Sequence, residues 1–148
     1  MIQTSQSDAD LTALVVENDS AQRALISLGL NRLGCTVFTA KDGIEARKML
    51  EDRRPTLLVL DTYLPQINGI ELLRQLKSAF KIDQCSVIMI SPFGFEEVVQ
   101  MAIQAGAHDF LVKPINMDEL IQRAKGLLER RASSKQTSPA LSTGSKKR

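Results

Sequence analysis

Five short apolar runs alternate along the chain with longer stretches in which apolar residues recur at helical intervals. The runs are Leu11–Val16, Cys35–Ala40, Thr56–Leu60, Ser86–Ser91 and His108–Val112. Those around Leu57–Leu60 and Val87–Ile90 are continuous rather than alternating, which is the pattern of a strand covered on both faces. Glu17–Asn18–Asp19–Ser20 supply helix-start chemistry before Ala21–Gly34, where Leu25, Leu28, Leu30 and Leu33 follow a helical pattern that Gly34 stops. Asp42–Gly43 turns the chain into a short helix, Ile44–Glu51. Asn68–Gly69 opens Ile70–Lys81, with Ile70, Leu72, Leu73, Leu76 and Phe80 available for a buried face. A loop at Pro92–Phe93–Gly94 precedes a helix over Phe95–Ala105 that ends at Gly106. Asn116, Asp118 and Glu119 then cap and charge the start of a last helix running to about Arg130.

Five strands alternating with five helices predict an α/β domain with a doubly wound parallel sheet. Right-handed crossovers favour the strand order 2-1-3-4-5, whose switch point lies between the first and third strands. At 148 residues there is room for one such domain with tails. The expected division is a polar N-terminal tail at 1–10, the domain at 11–130, and a basic, Ser-rich disordered tail or linker at 131–148. Residues 1–129 carry 13 Lys and Arg against 17 Asp and Glu, whereas residues 130–148 carry six basic residues and no acidic one. Six charges spread among Ser, Thr and Pro read as a solvated end, so contact with nucleic acid is expected only non-specifically through that tail. No apolar run approaches the roughly 18–20 residues of a membrane span, and the polar N-terminus has no signal pattern, so no membrane partner and a cytoplasmic location are expected. Cys35 and Cys85 stand alone beside strands and read as inert buried thiols.

The predicted strand order gathers the chemistry at one edge of the sheet. Asp61 ends the central strand, Glu17, Asn18 and Asp19 follow the first, and Ser91 and Lys113 close the fourth and fifth. Apposed carboxylates repel each other and call for a cation, and an all-oxygen set suits Mg²⁺. In that setting Asp61 is a nucleophile for a phosphoryl group, with Lys113 neutralising charge on its oxygens and Ser91 hydrogen-bonding another. The alternative is an ion pair of Lys113 with Asp61, Ser91 merely capping the following loop.

From about Leu11 to Arg130 the chain resembles the receiver domain of two-component response regulators. The resemblance rests on the acidic group after the first strand, the stretch Asp61-Thr-Tyr-Leu-Pro-Gln-Ile-Asn-Gly69, Ser91, and Phe110-Leu-Val-Lys113-Pro114. It implies that Asp61 accepts a phosphoryl group from a histidine kinase or phosphotransfer protein, that Lys113 contacts this group, and that the peptide bond before Pro114 is cis. It further implies that Ser91 and Phe110 are switch residues, and that Mg²⁺ is held by Glu17, Asn18, Asp61 and the backbone carbonyl of Tyr63. Such a domain is no enzyme beyond Mg²⁺-dependent self-phosphorylation and slow dephosphorylation. It signals through the face of its fourth helix, fifth strand and fifth helix, in some cases by phosphorylation-dependent dimerisation.

Asn18 departs from the family pattern, which has a second acid there. Its amide offers a carbonyl oxygen without charge, so Mg²⁺ is expected to bind weakly. Asp19, one position on, is expected to cap the first helix instead. A phosphorylation-independent docking module therefore stays open beside the phosphoacceptor, distinguished by whether Asp61 takes phosphate. A flavin-binding protein is disfavoured, because Glu17 and Asp19 occupy the loop that would cradle a phosphate. Phe93 and Phe95 lie near the edge of the output face, where they serve either as partner anchors or as core residues, the core being expected for Phe95, and His108 is expected to be structural. The 18 residues after Arg130 are too few for a DNA-binding module, so output is expected through a partner or a domain not included in the chain.

Overall fold

A computed structural model describes residues 11–80 and 82–146, with side chains as far as residue 133. The segment 1–10, the last two residues of the basic tail and Lys81, the expected end of the third helix, lie outside the described residues. The strands are β1 (Thr12–Val16), β2 (Thr36–Ala40), β3 (Leu57–Asp61), β4 (Ser86–Ser91) and β5 (Asp109–Val112), and the helices between and after them are α1 (Ser20–Arg32), α2 (Gly43–Asp52), α3 (Gly69–Phe80), α4 (Glu96–Ala105) and α5 (Met117–Lys146). All strand pairs are parallel, and the order is β2-β1-β3-β4-β5, as the alternation predicts.

The continuous apolar runs have a direct structural reason. Leu58 and Leu60 of β3, with Val87 and Met89 of β4, enter a core shared with α2, α3 and α4. Leu57, Val59, Ile88 and Ile90 point the other way, into a core shared with α1 and α5. With both faces covered, every side chain of β3 is buried, and burying each Leu or Val contributes about 1.5–3 kcal/mol.

The helix starts follow their caps. Asp19 Oδ1 accepts hydrogen bonds from the Ala21 and Gln22 amides, Asp42 Oδ1 from Glu45, Asn68 Oδ1 from Ile70 and Asn116 Oδ1 from Glu119. Gly106 ends α4 at φ 119°, a conformation that favours glycine.

The structure settles a face of α1 that its leucines leave open, and it corrects the expected end of the last helix. In α1 the buried residues are Ile26, Gly29 and Leu30, while Leu25 and Leu28 are more than half exposed. The α1–α5 approach fixes that choice, because a methyl group at Gly29 would stand 2.8 Å from Cε of Met117. Helix α5 does not stop near Arg130. Its backbone stays helical to Lys146, across most of the stretch expected to be a disordered tail or linker.

Cys35 and Cys85 are free and buried, and burial pushes the Cys85 thiol up to about 12. His108 is structural. Its backbone amide donates to the Val87 carbonyl at 2.8 Å, and its Nδ1 accepts from the Val87 amide at 3.0 Å. Among the described residues no helix is long and apolar enough to cross a membrane.

Candidate functional site

Because β1 and β3 are neighbours at the switch point, Glu17 follows β1 directly beside the end of β3. Glu17 is 2 % exposed and Asp61 1 %. Two carboxylates so far removed from water need a shared counter-charge, and β5 delivers it. The Lys113 ammonium lies 2.7 Å from Asp61 Oδ2 and 3.1 Å from Glu17 Oε1. The contact with Asp61 is a hydrogen bond. Among the described residues Glu17 Oε1 has no aligned hydrogen-bond donor, so the Glu17 contact is one of charge. The other oxygens are held by backbone, Asp61 Oδ1 by the Tyr63 amide and Glu17 Oε2 by the Asp19 amide, both at 3.0 Å.

The electrostatics follow from this packing. Burial pushes the Glu17 carboxyl above its ordinary value; the Asp19 amide opposes that shift, while the adjacent Asp61 reinforces it. Burial alone would lower the Lys113 ammonium, but its hydrogen bond to Asp61, the Asp61 charge and then Glu17 outweigh burial and hold it above the usual lysine value. Lys113 is therefore a firmly protonated cation between two acids.

The remaining predicted residues take different positions. Ser91 is buried on β4, and the register pairs Asp61 with Ile90, so Ser91 stands one residue further along the adjacent strand. Its hydroxyl accepts from the Phe93 amide at 3.1 Å, the loop-capping role open to it from the sequence. Asn18 donates its amide Nδ2 to the Lys41 carbonyl at 3.2 Å, tying the β1–α1 loop to the β2–α2 loop. Tyr63 is the second residue of the loop after β3, its amide on Asp61 and its ring exposed. Phe110 is half-buried on β5 and packs against the core shared with α2, α3 and α4. The Lys113–Pro114 peptide bond is cis.

Several features were not read from the sequence. Arg23, at the first turns of α1, donates Nη1 to the Glu17 carbonyl at 2.7 Å and the Asn18 carbonyl at 3.2 Å, fixing the acidic loop from behind. Its place four residues after the capping Asp19 was the available signal. Phe95 is not a core residue. It is 63 % exposed, because it occupies the N-cap position of α4, where the chain is still outside the packed turns. Its ring stacks on Phe93 at 5.9 Å between centroids, and Phe93 meets Tyr63 edge-on at 5.6 Å. An exposed aromatic row thus borders the acidic pocket.

The donor set suits a hard divalent cation in part. Glu17 and Asp61 offer carboxylate oxygens, and Glu17 Oε1 is buried without a hydrogen bond, a lone pair that an oxygen-seeking ion would use. Among the described residues, however, no group of three or more His, Cys, Asp or Glu gathers as a metal cluster. The position that would add a third acid carries Asn18.

Comparison with known proteins agrees with this arrangement. The family model for the response regulator receiver domain matches residues 13–125. The transcriptional regulatory protein AfsQ1 of Streptomyces coelicolor is 35% identical over 117 residues, which are 79% of this chain and 51% of that protein. The phosphate regulon transcriptional regulatory protein PhoB of Rhizobium meliloti is 37% identical over 116 residues, 78% of this chain and 51% of PhoB. The chain thus spans about half the length of these curated relatives. Among solved structures, the receiver domain of the Francisella response regulator 1452 superposes with a TM-score of 0.75 at 29% identity, covering 81% of this chain and 98% of that one. The BeF3-activated DrrB receiver domain gives 0.74 at 28% identity, covering 80% and 97%.

Proposed function

Since the chain belongs to the response regulator receiver domain family, we propose that Asp61 is its phosphoryl acceptor and that a histidine kinase or phosphotransfer protein is the donor. The observation that carries this reading is the Lys113 ammonium shared at 2.7 and 3.1 Å by the buried Asp61 and Glu17. An ion pair with no further task would be replaceable by apolar packing at little cost. Here it stands at the carboxyl edge of a parallel sheet, at the switch point, where such folds bind ligands.

The step is a displacement at phosphorus. A carboxylate oxygen of Asp61 forms the new O–P bond as the donor's bond to phosphorus breaks, and the leaving imidazole of a phosphohistidine regains a proton. The Tyr63 amide steadies Oδ1 and leaves Oδ2 toward Lys113. As negative charge moves from the carboxylate to the phosphoryl oxygens, the ammonium of Lys113 follows it, and the Ser91 hydroxyl gives up the Phe93 amide to donate to another oxygen. That exchange moves the β4–α4 loop. Phe110, half-buried beside it, carries the change onto the face of α4, β5 and α5. The output partner binds there, or a second copy does once Asp61 is modified.

Glu17, Asp61, the Asn18 carbonyl oxygen and the Tyr63 carbonyl would hold Mg²⁺, which when bound supplies positive charge beside the phosphoryl oxygens. With Asn18 neutral and its amide engaged by Lys41, the affinity is lower than two acids at this loop would give. The same observation favours a second reading, a docking module that works without phosphate.

Incubation with a small phosphodonor and Mg²⁺, read by intact mass, separates the two. A phosphoryl adduct absent from Asp61→Asn supports acceptor chemistry. An adduct that persists in Asp61→Asn reassigns the acceptor, and no adduct in either protein favours the docking module.

A further inference from the structure

At the end of the sheet away from Asp61 the chain encloses a second concavity. It is lined by Thr12 and Leu14 of β1, Phe38 of β2, Met49 and Leu50 of α2, and the Arg53–Arg54–Pro55 turn before β3, with a volume of about 200 Å³. Its wall is apolar and its rim carries two guanidinium groups. Arg53 lies over the Phe38 ring, 4.2 Å from the centroid. Among the described residues its Nη1 meets Met49 Sδ and the highly exposed Asp52, both at 3.7 Å, and an exposed pair of that kind holds a charge weakly. Arg54 turns Nη1 back onto the Leu50 and Arg53 carbonyls, closing the end of α2. Each guanidinium has five N–H donors, and among the described residues Nε and Nη2 of neither arginine make a hydrogen bond.

From the apolar wall and the unused donors at its mouth we infer a ligand site for a compact apolar group that ends in a carboxylate. The size sets the first half of that description. Pockets for drug-sized ligands run to roughly 300–1,000 Å³, so this one admits a single ring on a short chain and excludes a lipid tail. The charge sets the second half. A guanidinium fork matches the two oxygens of a carboxylate in a plane, and Arg53 is already oriented by its stacking on Phe38. The site shares no residue with the Asp61 pocket and is independent of the phosphoacceptor reading.

The test titrates the ¹⁵N-labelled full chain with 3-phenylpropionate and, in parallel, with its neutral amide. Saturable shifts on the amides of Phe38, Met49, Arg53, Arg54 and Thr56 are expected, with the anion bound at least tenfold more tightly than the amide. Arg53→Gln, at an exposed position, should keep the spectrum of the fold and abolish that preference, and Met49→Phe should fill the cavity and weaken both probes. Absence of saturable shifts, shifts centred on Asp61 instead, equal binding of acid and amide, or full affinity in both Arg53→Gln and Arg54→Gln would each overturn the assignment.

Discussion

Gly69 is pressed against the backbone of Asp61. A methyl group there would overlap the Asp61 carbonyl oxygen and stand 2.8 Å from Cα of Thr62, while the Gly69 amide donates to the Thr62 carbonyl at 2.8 Å. The loop leaving β3 therefore folds straight back onto the strand it left. A side chain at position 69 must push the end of β3 and the first turn of α3 apart. Gly69→Ala is expected to cost on the order of 2–3 kcal/mol, read as a lower urea midpoint, and to slow phosphorylation of whatever fraction folds. Unchanged stability would mean that the loop relaxes freely.

Lys113→Met tests the shared ammonium. It leaves Glu17 and Asp61, each 2 % exposed at the side chain, facing each other without a cation. Burial already holds the Glu17 carboxyl above its ordinary value, and without the ammonium, which lowers it, that carboxyl rises further. A raised acid stabilises the fold below the unfolded value and loses that contribution as pH climbs through the folded value. The variant should therefore come close to wild type near pH 3–4 and fall behind by on the order of 2 kcal/mol at pH 7. Denaturation at a series of pH values reads this directly, and a deficit independent of pH would refute it.

Asn18→Asp should raise Mg²⁺ affinity by about tenfold, the effect of one more charge near the ion at an intermediate dielectric. It should also cost stability in the absence of the metal, because the new carboxylate faces the Lys41 carbonyl that Asn18 now serves as donor. Calorimetric titration with Mg²⁺ and melting without it give the two readouts. Equal affinities would remove Asn18 from the metal site.

His108 carries a proton-sensitive contact. Its Nδ1 accepts the Val87 amide, which an imidazolium cannot do. Burial lowers its pKa below the ordinary imidazole value of 6.5, and Lys77, Arg131 and Arg130 lower it further. A base with a depressed folded value gives full stability above its unfolded value and loses it as pH falls through the window below 6.5. The wild type should weaken over that window. His108→Gln, which keeps an acceptor without a titrating group, should flatten the slope; an identical slope in the variant would assign it elsewhere.

The strands were legible because a sheet covered on both faces demands continuous apolar runs, and Leu57–Leu60 and Val87–Ile90 meet that demand without competition. The strand order then followed from the crossovers, and with it the meeting of Glu17, Asp61 and Lys113. Helix faces were harder. The leucines of α1 surround the helix, so only the close passage of Gly29 against Met117 decides which of them turn inward. Phe95 leaves the core for a related reason: hydrophobicity says nothing about whether a residue sits inside the first turn or just before it. The hydrogen bonds of Asn18 to Lys41 and of Arg23 to the loop carbonyls depend on how two loops lie side by side, which no spacing in the sequence encodes.

β3 is hydrogen-bonded to β1 and β4 along its two edges and closed by side chains above and below. Asp61 thus ends a strand held on every side, and the groups free to shift around it belong to loops from other strands. Amide exchange should be slowest along Leu58–Leu60 and fastest in those loops, so that a chemical event at a fixed anchor is felt as displacement everywhere except where it occurs.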